Sequence, residues 1–442
     1  MQQSQTIPIP QVDSSIEFSK IIKLLYMFSL ILTSLSAYAI GPLPVPWLAD
    51  IFILFGTLLI GIRIGLYPFD GHLFLSALIF WSIFITTFNS STDDYAKFMP
   101  RTATTPYEIY ISLRIVSLFS FCACISLVRW LLQKGNQRLV IRYTVIWGSF
   151  VSFFALYIYF AQIFGLPEPD RTRMSTAGGV QRVIFSGIFH RAMGTFREPS
   201  HLAQWLVIPF FLSLAQQEDR HSHFHIPLQG IVILLTGSLT GIMGISIGVL
   251  GAFFLFRSPG LRKLKILSPF VLYMALGIGV FSTVAYGYVS NANVSIIDIV
   301  VERITPISEG GMQESNRFYI YDFTNSTQFP IMGVGFGNSN ILLSQYFHSS
   351  LIVSFLSLYF NLLYSVGIIG FILAMFFLLT PIAQILISGN TFFENERRVF
   401  WILSAYIAWL VMFSVHQEEF SIMFGIIFAL LTFETSKSRS IT

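Results

Sequence analysis

Apolar residues run along this chain in long blocks that are separated by short polar segments. A block of about 20 apolar residues is long enough to cross a bilayer as a helix. The pattern therefore predicts an all-α, polytopic integral membrane protein with about twelve transmembrane helices in a single transmembrane domain over residues 1–442. The predicted spans are 24–41, 46–64, 72–88, 108–128, 143–165, 200–216, 227–239, 241–256, 267–289, 351–388, 399–415 and 420–434.

Two blocks do not have the length of a single span. The block at 227–256 is interrupted at Gly237, which favours two short helices that meet at a turn within the membrane. Such a turn is tolerated where it is buried in protein. The block at 351–388 is too long for one span, so we expect Gly367 and Gly370 to separate an interfacial helix from a true span.

Lysine and arginine in the short loops set the orientation. Twelve spans place the basic clusters on one side, and this side is expected to be the cytoplasm. Both termini are then cytoplasmic. Two long polar segments fall on the periplasmic side: an arginine-rich segment at 166–199 and a large loop at 290–350.

Composition narrows the class of protein. Hydrophobic residues make up 54% of the chain and charged residues only 11%, against roughly 25% in a soluble domain. The net charge of +4 comes from bases that lie between apolar blocks, which is not a nucleic-acid footprint. A soluble enzyme, a disordered protein and a nucleic-acid binder are therefore excluded.

The segment 166–199 carries five arginines and no lysine, against the positive-inside trend. The planar guanidinium grips phosphate or carboxylate in a bidentate way. This predicts a site for an anionic lipid or sugar, although loop salt bridges and headgroup anchoring are the alternative. The five are Arg171, Arg173, Arg182, Arg191 and Arg197.

The sharpest motif begins at Arg191 and leads into the sixth span. Pro199 suits the first turn of a helix, and Glu198 then lies at the positive end of the helix dipole. Together with Ser200, this end of the span is expected to present a carboxylate and a hydroxyl between arginines. An ordinary capped helix is the alternative.

The second polar segment carries two further motifs. Arg317 and Tyr319 precede a glycine run, Gly333 to Gly337, which would allow a tight backbone approach to a ligand. His348 follows at the predicted outer boundary of the membrane, where a histidine can carry a proton near neutral pH. A loop with turn glycines and a hydrogen-bonded interfacial histidine are the alternatives.

Arg114 lies inside the fourth predicted span, where a charge is a functional candidate by default. It could reach a lipid phosphate from within a cavity. An ion pair with Asp50, or snorkelling of each side chain to the interface, is the alternative. His416, Glu418 and Glu419, in the loop between the last two spans, could line the same outer cavity.

The order of these motifs over about 190–375 resembles the O-antigen polymerase and ligase superfamily, which includes the Wzy-type polymerases. The resemblance rests on Arg-x-x-Gly-x-Phe-x-Glu-Pro-Ser-x-x-Ala at 191–203, Leu-Thr-Gly-Ser at 235–238, Arg317, Gly-Val-Gly-Phe-Gly at 333–337, His348-Ser349 and Gly367-Ile-Ile-Gly370. The chain departs from the family in the longer gap between His348 and Gly367, and no acidic residue stands just before Gly367.

The resemblance implies a glycosyltransferase of the bacterial inner membrane. It would polymerise undecaprenyl-diphosphate-linked oligosaccharide repeat units into O-antigen, the polysaccharide of lipopolysaccharide, or a related surface polysaccharide on the periplasmic face. Arginines can hold the leaving lipid diphosphate without a metal, and no cofactor is implied. The expected partners are these lipid-linked glycans, membrane lipid and a chain-length regulator protein, with no nucleic acid.

The resemblance also assigns roles to residues. His348 is the expected base for the acceptor hydroxyl, with Glu198 as the other candidate, and Arg191 and Arg317 are expected to hold the diphosphate. The remaining polar residues are expected to bind substrate: Arg171, Arg173, Arg182, Arg197, Arg114, Ser200 and Tyr319.

Two other functions stay open at this level. A ligase of the same superfamily would move finished polymer onto another acceptor. A secondary transporter or flippase would need repeated halves with matching broken helices, and ionisable residues throughout its spans. The chain offers one broken pair, and Arg114 is nearly alone as a charge deep in a span.

Overall fold

A computed structural model describes residues 14–41, 43–65, 69–92, 94–100, 105–173, 184–185, 189–216, 222–256, 266–268, 270–272, 318–387, 396–415 and 419–439. Most of these residues are helical, so the all-α fold class is confirmed. The helices are α1 Ser14–Thr33, α2 Val45–Ile64, α3 His72–Thr92, α4 Tyr107–Gln133, α5 Gln137–Phe164, α6 Pro199–Ala215, α7 Ser222–Leu235, α8 Leu239–Leu255, α9 Phe318–Ser326, α10 Asn338–Tyr346, α11 Leu358–Ile387, α12 Glu396–Met412 and α13 Ile422–Arg439.

Shorter elements complete the described chain. A 3-10 helix covers Tyr95–Phe98, and residues 266–268 and 270–272 are also helical. Two antiparallel hairpins pair β1 (Ala39–Ile40) with β2 (Leu43–Pro44) and β3 (Ile184–Phe185) with β4 (Phe189–His190).

Five helices in the described part of the chain are long and apolar enough to cross a membrane: Val45–Arg63, His72–Thr92, Tyr107–Gln133, Gln137–Phe164 and Leu358–Ile387. Shorter apolar helices cover Pro199–Ala215, His223–Leu235 and Leu239–Leu255. These lengths support insertion into a membrane. The count of twelve spans, the periplasmic placement of the two long segments and the cytoplasmic termini stay predictions.

The first helix differs from its predicted position. Expected at 24–41, it is α1, Ser14–Thr33, because Phe18 and Ile22 already pack into the core. After Thr33 the backbone leaves the helix and makes hydrogen bonds to a distant loop, with the Ala37 amide donating to the Thr195 carbonyl at 3.0 Å. A hydropathy pattern does not show this hydrogen bond between two backbone groups, so it does not predict where the helix ends.

The predicted break in the block at 227–256 is confirmed. Helix α7 ends at Leu235 and α8 begins at Leu239. Thr236 and Ser238 between them are buried, and the Ser238 hydroxyl accepts a hydrogen bond from the Gly241 amide at 3.3 Å. A buried side chain therefore caps α8, as a break among apolar helices requires.

The break in the block at 351–388 is also confirmed. Helix α11 begins at Leu358 and loses helical geometry at Gly367, which has φ 65° and ψ −168°. Only glycine adopts that region readily. Gly370 lies within the second part of the helix, so Gly367 alone makes the break.

The arginines of the site lie at one end of the helix bundle, which is called the arginine end. It carries the C-terminus of α1 and the N-termini of α4 and α6. The N-terminus of α11 and the C-terminus of α12 meet each other, since the Leu358 amide donates to the Phe413 carbonyl at 2.8 Å. The loop that follows α12 reaches α4 there, because Glu419 pairs with Arg114.

Candidate functional site: arginines at one end of the bundle

The connection between α1 and β1 is the scaffold of the arginine end. The Arg173 amide donates to the Ala37 carbonyl at 3.1 Å, and the Arg197 amide donates to the Ser36 hydroxyl at 3.3 Å. The Thr195 hydroxyl donates to the Ser34 carbonyl at 2.6 Å. Two stretches of the arginine-rich segment are therefore fixed side by side on residues 34–37.

Arg173 lies at the centre of this arrangement. Its guanidinium Nη1 donates to the Ser36 carbonyl at 3.0 Å, and the side chain is half-buried. Burial, together with the positive charges of Arg197 and Arg114, lowers the pKa of Arg173 to about 10. Two arginines from other parts of the chain thus act on Arg173, which is an arrangement suited to an anion.

The start of α6 brings an acid and a histidine to the same place. Glu198 is the N-cap residue with Pro199 in the first turn, as the sequence indicated, and the Ser200 hydroxyl donates to Glu198 Oε2 at 3.2 Å. Burial lowers the pKa of Arg197, and the charge of Glu198 opposes that shift. The charges of Glu198, Arg197 and Arg173 all act on the ring of His201.

Arg114 reaches this cluster from α4. Its Nη2 donates to the Tyr110 hydroxyl at 2.9 Å, and the guanidinium lies 5.0 Å from the centre of that ring. Its ionic partner is Glu419, in the loop after α12, and both side chains are half-buried. Glu419 therefore lies beside Arg114, and the Arg114–Asp50 pair that the sequence offered as an alternative stays a prediction.

The glycine run 333–337 packs closely against the broken turn of α11, and its expected approach to a ligand stays a prediction. A Cβ atom on Gly333 would lie 2.5 Å from the Ser365 carbonyl oxygen and 2.5 Å from the Gly367 nitrogen. The Val334 and Gly335 amides donate to the carbonyls of Tyr364 and Ser365 at 3.0 and 2.7 Å. The close approach is thus to the broken turn of α11, whose carbonyls need donors.

The same run also supports Arg114. A Cβ atom on Gly337 would lie 2.7 Å from Ile111 Cδ1 and 3.5 Å from Arg114 Cγ. Tyr107, at the start of α4, donates to Asn338 Oδ1 at 2.9 Å. The glycine run therefore joins the break of α11 to the base of the arginine side chain.

Two further arginines hold backbone at the edge of the cluster. Arg191 Nε donates to the Thr236 carbonyl at 2.6 Å, which ties it to the break between α7 and α8. Arg171 Nη2 lies 3.5 Å from the Gly194 carbonyl. Burial lowers the pKa of Arg171, while the charge of Glu168 opposes the shift.

No protein-family model matches this chain, and no curated protein matches it.

The other predicted residues lie apart from the cluster or outside the described residues. His348 is exposed and has φ 48°; it follows α10, whose nine residues give a length of about 13 Å. Tyr319 donates to the Ser354 carbonyl at 2.5 Å, within the packing of α9. Arg182 and Arg317 lie outside the described residues, so their roles stay predictions.

Sequence reasoning did not assign a role to His201. The signal was present, because residues 198 and 201 lie one turn apart on the start of a helix, but the apolar run that follows suggested only packing. Among the residues that the structure describes, no group of three or more His, Cys, Asp or Glu side chains is arranged to hold a metal ion.

Proposed function

We propose that this protein polymerises undecaprenyl-diphosphate-linked oligosaccharide repeat units by glycosyl transfer at the arginine end of the bundle. The observation that carries the proposal is that residues 34–37 hold Arg173 and Arg197 side by side at the start of α6, next to Glu198 and His201. The arginine end is then the periplasmic face of the inner membrane.

The chemistry explains why arginines would serve this reaction. The bond to break joins an anomeric carbon to a lipid diphosphate, so negative charge grows on the departing phosphate oxygen. Cations that are already fixed in place and partly removed from water stabilise such charge strongly. A bound diphosphate would also offset the repulsion of Arg173 by Arg197 and Arg114.

The test uses the source strain with this gene deleted. We expect surface glycan and lipid-linked intermediates to shrink to single repeat units, and wild-type protein to restore the ladder. Arg173→Gln and Arg197→Gln should not restore it, because each removes one cation from the cluster. Arg142→Gln is the matched control, since Arg142 is exposed on α5.

Other outcomes assign the chain differently. Long chains that remain on undecaprenyl diphosphate in the deletion strain would indicate a ligase. Accumulation of unpolymerised units on the cytoplasmic side alone would indicate a flippase. A normal ladder in both pools would refute the superfamily assignment.

A further inference from the structure

One face of α6 descends from the arginine cluster into the bundle. Ser200, His201 and Gln204 share this face, because residues three and four apart are neighbours on a helix. His201 is half-buried, and the charges of Glu198, Arg197 and Arg173 act on its ring. Gln204 lies one turn deeper.

Gln204 has a polar group that the fold does not satisfy. Its side chain is 3% exposed, and its Nε2 has no hydrogen-bond partner among the described residues. Leaving a buried amide donor unpaired is costly, so native structures rarely do so without a reason such as an absent ligand.

A buried N–H donor without an acceptor, one turn below a histidine and a carboxylate, fits a ligand rich in hydroxyl oxygens. We propose that this face of α6 is the acceptor site of the polymerase, with His201 as the base and Gln204 as a ligand of the acceptor sugar. The inference rests on the proposed function and adds the residues that receive the acceptor.

The proposed step transfers the donor glycan to a hydroxyl of the acceptor sugar. The acceptor hydroxyl gives its proton to an imidazole nitrogen of His201, and its oxygen forms a bond to the anomeric carbon of the donor glycan. The bond from that carbon to the diphosphate oxygen breaks, and the electron pair leaves with the lipid diphosphate. Glu198 stabilises the imidazolium that forms, and the proton then passes to water.

The proposal differs from the one that the family resemblance gave, in which His348 is the base. His348 is exposed and follows the end of α10, whereas a Cβ atom on Gly337, which precedes the start of α10, would lie 3.5 Å from Arg114 Cγ. The charges of Arg173 and Arg197 act instead on the ring of His201.

The experiment uses the full chain in nanodiscs with the undecaprenyl-diphosphate-linked repeat unit of the source organism. We expect His201→Gln to lower kcat on the order of 100-fold or more and to abolish the acidic limb of the pH–rate profile. Gln204→Met should raise KM for the repeat unit about 10-fold with little change in kcat. His223→Gln is the matched control, because His223 is exposed at the opposite end of α7.

The outcomes separate the two proposals. Polymer made by wild type while His201→Gln keeps its kcat within about 3-fold would overturn the assignment of the base, as would loss of the acidic limb in His348→Gln alone. A folded wild-type protein that makes no polymer would instead refute the proposed function. Size-exclusion chromatography checks folding, and His201→Asn replaces His201→Gln if the latter does not fold.

Discussion

Gly333 offers a test of how the glycine run is held against α11. Gly333 has φ +86°, and a Cβ atom there would meet three backbone atoms of residues 365–367. Gly65, at the end of α2, has nearly the same φ of +91° with nothing within 4 Å of a Cβ atom. Gly65→Ala thus measures the cost of the backbone conformation alone, and Gly333→Ala adds the steric overlap.

The expected magnitudes follow from these distances. A side chain in such a backbone conformation costs about 1–3 kcal/mol, and this applies to both variants. At Gly333 the nearest contacts would be 2.5 Å, where real Cβ contacts are at least 3.0 Å, so the loop or the helix must move by about 0.5 Å or more. Because backbone atoms cannot rotate away, we expect a further loss of about 1–3 kcal/mol.

The assay is unfolding of the purified protein by SDS in mixed micelles, with both variants measured beside wild type. Gly333→Ala should be less stable than Gly65→Ala, and only Gly333→Ala should impair polymer synthesis, because the run leads to Arg114. Equal loss of stability in the two variants would refute the close packing of the run against the break in α11.

Two predictions concern the cations. Since burial lowers the pKa of Arg173 to about 10, its charge is lost as pH rises through 10, and pyrophosphate inhibition of polymer synthesis should weaken there. Removing a neighbouring cation with Arg197→Gln should raise that pKa and shift the weakening to higher pH; an unchanged midpoint would contradict this coupling. Glu419→Gln removes the anion that competes for Arg114, so the inhibition constant of pyrophosphate should fall about 3- to 5-fold. The control uses Arg114→Gln as the background. Adding Glu419→Gln to Arg114→Gln should leave the inhibition constant of pyrophosphate unchanged.

The breaks in the helices could be predicted from the sequence because their causes are local. Gly237 and Gly367 interrupt apolar blocks whose lengths do not suit one span, and the structure ends or bends helices at both places. The start of α6 at Glu198 and Pro199 is equally local, since Pro199 suits the first turn of a helix.

The arrangement of the site could not be predicted, because it depends on contacts between distant parts of the chain. Arg114 pairs with Glu419 because the loop after α12 crosses to α4, which no periodicity reveals. The glycines at 333–337 are typical of a ligand loop and also of backbone that donates to a broken helix. Only the packing against residues 364–367 separates these two possibilities.

The unequal helix lengths have a consequence for the surrounding lipid. Helices α4 and α5, with 27 and 28 residues, are each about 40 Å long, whereas α7 and α8, with 14 and 17 residues, reach only about 21 and 25 Å. Met243, Leu250 and Phe254 expose apolar surface on α8. A bilayer with a core of about 30 Å around the bundle would be thinner beside α8 than beside α5, because lipid adjusts to hydrophobic mismatch. The polyprenyl chain of the proposed substrate would then meet a shallower membrane on that side.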